Sequence, residues 1–294
     1  EPRVETGLTF PTANIPPKPL PEEFRARPEA GVHPSGWPLE ITCDHDGAAM
    51  VLVPGGSFRM GRDDGPLQER PAHKVTLSPF YIDQHEVTIR QYRLFATATG
   101  HKLPPEVESD AQANPNLPMV QVSAREAKDY AEWAGKALPT EAQWEFAART
   151  TDGRIHPWGP NPPDWNRPRK PGQIDPVMSY PLDLSPYGAF DLAGNAREWT
   201  ADWYDSRYFH QFVRTVPVDP LGPVRSSSRG GSLTIKGGSP TWDCSWRADM
   251  RPEARLTDLG FRCVLWLVPK PAAPAAPPSQ APNAPRTTPG VVPF

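Results

Sequence analysis

The sequence predicts an irregular α+β domain that is rich in loops, has an aromatic core and contains few long helices. Proline (41) and glycine (22) are both abundant in the 294 residues, and proline is far above its usual ~5% share. Ten tryptophans supply large apolar side chains. Short alternating apolar segments, the signature of half-buried strands, precede helix starts marked by capping residues.

Composition also sets limits on function. The formal net charge of −3 provides no basic field for nucleic acid or an anionic membrane surface. No run approaches the ~20 apolar residues of a membrane-spanning helix. The chain begins with Glu1, so the expectation is an exported bacterial protein, periplasmic or surface-attached, from which a signal was removed.

Residues 1–40 read as a Pro-rich N-terminal arm, extended or polyproline II, which is either a linker or an arm that lies over its own domain or a neighbour. Residues 41–268 form the folded domain. Met50–Val53 and Ser57–Gly61 are strands joined by Pro54-Gly55-Gly56, and Lys74–Leu77 and Phe80–Asp83 are two more. Thr88 opens a helix with Ile89, Tyr92, Leu94 and Phe95 on its apolar side and Gly100 as its stop. Ser123 with Glu126 and Thr140 with Gln143 make capping boxes for two further helices. The first of these lines one side with Ala127, Tyr130, Ala131 and Ala134, and the second carries Trp144, Phe146 and Ala147. Residues 151–186 are almost all loop, and Gly260–Leu265 is the closing strand. Residues 269–294 are a Pro/Ala-rich C-terminal tail, a stiff spacer or arm whose apolar end, Val291 to Phe294, suits docking on a partner.

Between Phe190 and Thr200 the chain places Asp191, Gly194, Asn195 and Glu198 close together. Hard cations such as Ca²⁺ collect carboxylates and backbone carbonyls of this kind, although the spacing is not that of an EF-hand. The alternative is an ordinary turn between apolar segments. Cys43, Cys244 and Cys263 fit no zinc knuckle or thioredoxin-like pair. They leave two options, a structural disulfide with one buried thiol or three free thiols. His45, between Asp44 and Asp46, reads as part of a solvated charged turn.

Seven strings occur in order: Val53-Pro54-Gly55-Gly56-Ser57-Phe58-Arg59-Met60-Gly61, Glu86-Val87-Thr88, Leu138 to Glu145, Pro157-Trp158-Gly159, Gly194 to Trp199, Arg229-Gly230-Gly231-Ser232 and Gly260-Phe261-Arg262. Together they resemble the formylglycine-generating enzyme family, the sulfatase-modifying-factor domain, over about residues 43–266. The resemblance implies an irregular C-type-lectin-like α+β fold. It implies a Ca²⁺ site at Asp191, Gly194, Ala196 and Glu198, through two side chains and two backbone carbonyls. A second family site would start at Asn166, but the loop between Arg167 and Pro176 is shortened. The resemblance further implies a Cys43–Cys263 bridge, a structural role for His73, and buried, paired positions for Arg247 and Arg262. Family members that oxidise a substrate cysteine carry two copper-handling cysteines just past the Arg-Gly-Gly-Ser run, and soft Cu(I) needs those thiolates. The corresponding stretch here, Leu233 to Ser239, contains no cysteine.

The expected function is therefore a non-catalytic, calcium-stabilised binding or assembly module in an exported protein complex, with protein partners contacted by the Pro-rich arms. The alternatives are a diverged enzyme that matures a peptide or natural product by oxidoreductase-type chemistry, and a carbohydrate-binding lectin-like module.

Overall fold

The computed structural model describes residues 15–104, 107–108, 114–212, 218–220 and 231–268. Within them the strands, in chain order, are β1 (Phe24–Ala26), β2 (Glu40–Cys43), β3 (Ala49–Val53), β4 (Gly56–Met60), β5 (His73–Leu77), β6 (Phe80–Asp83), β7 (Arg197–Trp203), β8 (Leu233–Lys236), β9 (Ala248–Met250), β10 (Leu259–Gly260) and β11 (Val264–Trp266). Three helices accompany them: α1 (Ile89–Thr99), α2 (Ala124–Trp133) and α3 (Glu141–Arg149). The fold is α+β, with short strands and long irregular connections.

One sheet runs β1-β2-β3-β6-β11, antiparallel throughout, with Met50 opposite Asp83 and Val264 opposite Ile82. A second runs β10-β7-β8-β9, and its β10–β7 pair is parallel. β4 and β5 form a separate hairpin. Gly55 makes the turn before that hairpin at φ 78°, where a Cβ would meet the Leu77 carbonyl at 2.7 Å, so both conformation and space call for glycine.

All three helices start with the capping boxes expected from sequence, at Thr88/Gln91, Ser123/Glu126 and Thr140/Gln143. In each box the cap hydroxyl accepts an N–H of the first turn and the third residue's side chain accepts the cap's own N–H. α1 and α2 pack through Tyr92 and Tyr130, whose stacked rings lie 5.7 Å apart. α3 behaves differently. Every one of its nine residues is buried, and it lies against β4, β5, β7 and β8. Its charged side chains therefore need partners inside the protein.

Four expectations change. Part of the N-terminal arm is a paired strand, where the sequence predicts polyproline II or unpaired extended chain, because β1 adds to the sheet edge beside β2 and buries Phe24. Leu94 faces solvent at 47% exposure, since the core side of α1 is already filled by Tyr92 and Phe95. The single closing strand is broken into β10 and β11 around Phe261–Cys263, where Arg262 turns inward.

The fourth change concerns the Cys43–Cys263 bridge, which is not formed. All three cysteines are free, buried thiols. Cys43 ends β2 and Cys263 immediately precedes β11, with β3 and β6 between those strands. Three strand spacings amount to about 14 Å, whereas a disulfide needs Cα atoms within ~7 Å. The first and last long strands share a sheet without being neighbours.

Candidate metal centre

The turn from Phe190 to Glu198 is built by left-handed residues. Asp191 (φ 58°) and Asn195 (φ 61°) both occupy that region, which Asp and Asn tolerate better than most side chains. Asp183 closes the turn from outside it. Its Oδ1 accepts from the Ala193 N–H and its Oδ2 from the Gly194 N–H, both at 3.0 Å. The Asn195 side-chain oxygen accepts the Asp175 N–H at 2.9 Å, tying the preceding loop to the turn.

The structure brings the expected ligands into one buried region and gives them other partners. Glu198 Oε1 accepts from Arg262 Nε and Nη2 at 3.0 and 2.8 Å, and Oε2 accepts from Arg262 Nε and Trp144 Nε1 at 2.8 and 2.9 Å. Three N–H groups therefore hold the carboxylate, with the single Arg262 Nε hydrogen shared between its two oxygens. Asp191 Oδ2 accepts the Met178 N–H at 2.6 Å, and Oδ1 faces Arg169 Nη2 at 3.5 Å. The Gly194 side of the turn is occupied too, since a Cβ built there would lie 2.4 Å from the Arg169 guanidinium carbon. The Ala196 carbonyl oxygen sits against Gly237, 3.3 Å from where a Cβ would be. Among the described residues no three Asp, Glu, His or Cys side chains converge closely enough to hold an ion. These residues do not fit the Ca²⁺ site that the resemblance implies. Asn166, where the second site would start, is exposed.

Charge in this region is lopsided. Four buried carboxyls (Glu86, Asp183, Asp191 and Glu198) face two buried guanidiniums (Arg169 and Arg262). Glu86 Oε1 accepts the Ala196 N–H at 3.1 Å, and Oε2 has no hydrogen-bond partner. Burial first, and Asp191 next, raise the Glu86 carboxyl well above the usual range. Burial and the neighbouring Asp183 push Asp191 up to about 7. The cluster balances when Glu86 and Asp191 keep their protons, leaving two carboxylates against two guanidiniums.

A second ionic cluster lies along β8, in the stretch where the resemblance places redox thiols. Ile235 is fully buried in the apolar core. Lys236 Nζ donates to Glu145 Oε2 at 2.9 Å, and Glu145 Oε1 accepts from the Gly61 N–H at 2.7 Å and from Arg149 Nη1 at 2.9 Å. Burial pushes the Cys43 thiol up to about 12 and raises Cys244 and Cys263 as well. A thiol so far above its ordinary value presents almost no thiolate, the nucleophilic and metal-binding form, near neutral pH.

The remaining sequence candidates have structural places. Arg247 pairs with buried Glu141 through Nε at 2.5 Å and Nη2 at 2.9 Å. His73 is buried against Phe209, ring centroids 4.5 Å apart. His45 is exposed, its ring edge to Trp133 at 5.4 Å. Arg229, Gly230 and the tail from residue 269 lie outside the described residues. Sequence reasoning missed Arg169, Asp183, Glu86, Glu145 and Lys236 as site residues. Of these, Glu86 and Glu145 belonged to recognisable strings, where neither was read as a site residue.

Residues 39–267 match the family model described as the sulfatase-modifying factor enzyme 1-like domain. The chain is 31% identical over 285 residues to the formylglycine-generating enzyme of Streptomyces coelicolor, a match covering 73% of this chain and 88% of that protein. It is 33% identical over 245 residues to the serine/threonine-protein kinase pkn1 of Chlamydia pneumoniae, covering 73% of this chain but 37% of that one. Among solved structures, PvdO from Pseudomonas aeruginosa superposes with a TM-score of 0.60 at 25% identity, covering 76% of this chain and 95% of PvdO.

Proposed function

The chain belongs to the sulfatase-modifying factor enzyme 1-like domain family, and within that family we propose that it is a non-catalytic binding or assembly module for protein partners. The filling of β8 carries this reading. Where cysteine oxidation would need paired, accessible thiols, the chain has Ile235 in the core and Lys236 locked onto Glu145. The three thiols that exist are buried and protonated, so none is suited to copper.

The decisive assay incubates the purified chain with copper, oxygen and a cysteine-bearing sulfatase peptide. No aldehyde should appear by mass spectrometry, and aldehyde formation would sink the reading. In parallel, the native thiols should resist a disulfide-exchange reagent at pH 8 and react once the chain is unfolded. The binding half of the proposal is tested on protein from its native source, which should carry a stoichiometric protein companion. Purification as a bare monomer would contradict it. The second reading is an enzyme of diverged mechanism, favoured by the 31% identity to a formylglycine-generating enzyme. Aldehyde produced without a cysteine on β8 would select it.

A further inference from the structure

We propose that Arg169 is the built-in cation of the 190–198 turn, holding from within the segment where the family resemblance implies a bound calcium ion. Arg169 comes from the loop between Arg167 and Pro176, and its side chain is fully buried. Nη1 donates to Asp183 Oδ2 at 2.7 Å, and the same Asp183 carboxylate accepts the peptide N–H groups of Ala193 and Gly194. The guanidinium therefore reaches the turn's backbone through one carboxylate, while Nη2 faces the Asp191 carboxyl group at 3.5 Å. A divalent ion stabilises an irregular loop in a similar way, by gathering oxygen atoms from separate parts of the chain.

The surroundings are shaped for a guanidinium. Its carbon lies 4.1 Å from the ring centre of Tyr180, 4.9 Å from that of Trp165 and 5.5 Å from that of Trp242. Nε and Nη2 make no hydrogen bond, so the three ring faces and the Asp183 carboxylate carry that part of the charge. Gly194 completes the fit, since a Cβ there would lie 2.4 to 2.8 Å from three guanidinium atoms. A lysine could supply the charge at this position but not the planar stack. On the other side of the cluster Arg262 pairs with Glu198, so the two carboxylates that carry hydrogen-bonded charge, Asp183 and Glu198, each have a guanidinium already.

The test compares wild type with Arg169→Gln and Arg169→Lys in excess EGTA and in millimolar calcium chloride, with elemental analysis of each protein. Wild type should contain no stoichiometric calcium, and its melting temperature should be the same in both buffers. Arg169→Gln should melt roughly 10 °C lower, as expected for breaking a buried ion pair in a domain of this size. Added calcium should raise its melting temperature, because Asp183 then lacks its cation and the Asp191 carboxyl beside it offers a second oxygen group. Arg169→Lys should fall between the two. Stoichiometric calcium in wild type, or melting that drops in EGTA, would overturn the proposal. So would an Arg169→Gln protein that melts like wild type, or one that melts lower but ignores calcium. If Arg169→Gln does not fold, the wild-type chelation result and Arg169→Lys decide the matter.

Discussion

Two buried ionic clusters flank Trp144, and they solve opposite problems. The indole Nε1 donates to Glu198 in the turn cluster, while Lys236 lies 5.5 Å from the ring in the β8 cluster. The β8 cluster has cations in excess, with Lys236 and Arg149 around the single carboxylate of Glu145. Arg149 spends its spare N–H groups on the carbonyls of Gly61, Gly153 and Arg154. Burial alone would raise Glu145, but Lys236 and Arg149 bring it below the ordinary carboxylate range. The turn cluster has carboxyls in excess, and Glu86 Oε2 is left without a donor. The contrast follows from the donor inventory. Each backbone carbonyl has two lone pairs and each amide one hydrogen, so surplus cations inside a protein find partners more readily than surplus carboxylates. Acid-rich interiors keep protons, and base-rich interiors do not need to lose them.

The largest break in that comparison should come from Arg262→Met. It leaves Glu198 buried with only the Trp144 N–H, and removing one partner of such a pair typically costs ~3–5 kcal/mol. Denaturant unfolding measures the loss. A cost under ~1 kcal/mol would mean that the pair contributes little to stability.

Asp191→Asn should act in the opposite direction. The folded chain holds the Asp191 proton up to about pH 7, against an ordinary value of 3.8, with Asp183, Arg169, Glu86 and Arg262 around it. Between those values the folded state binds more protons than the unfolded state, so stability falls as pH rises through the window, and the full penalty stands at pH 8. At ~1.4 kcal/mol per pKa unit, the upper bound is about 4 kcal/mol. Asparagine cannot ionise and keeps an acceptor for the Met178 N–H. The variant should therefore be more stable than wild type at pH 8, with the advantage vanishing near pH 4. Unfolding curves at pH 4.5, 6 and 8 would check this. A variant less stable than wild type at pH 8 would restore Asp191 as an ionised ligand.

Local signals were legible in the sequence and distant ones were not. The capping boxes at Thr88, Ser123 and Thr140 and the strands β3 to β6 rest on patterns a few residues long, and all appear in the fold. The inward turn of Arg262 was expected, but its partner was not, because Glu198 lies 64 residues away and each carboxyl in the chain is an equal candidate on sequence grounds. Arg169 sits in a proline-rich loop without periodicity, so nothing marked it as buried. β1 was hidden for a similar reason, since Phe24 is a lone apolar residue in a polar, Pro-rich run and only the neighbouring β2 makes it a strand. The order of strands in the first sheet, which separates Cys43 from Cys263, is a property of topology that no local pattern encodes.

The smallest effect is expected in the β8 cluster, and it tests whether surplus cations are dispensable. Lys236→Met removes one donor from Glu145, which keeps the Gly61 N–H and Arg149. The carboxylate therefore stays paired, and the added methionine stem has Trp144 to pack against. The cost should be ~1–3 kcal/mol, the range for losing one partner of a buried polar group, and clearly below that of Arg262→Met. A double variant with Glu145→Gln should recover part of the loss, since a neutral side chain no longer needs two cations, and the non-additivity measures the Lys236–Glu145 coupling. If Lys236→Met instead matches Arg262→Met, then Arg149 is committed to its carbonyls and cannot neutralise Glu145. The two clusters would then be equally intolerant of losing a charge, and the asymmetry between them would be one of formal count alone.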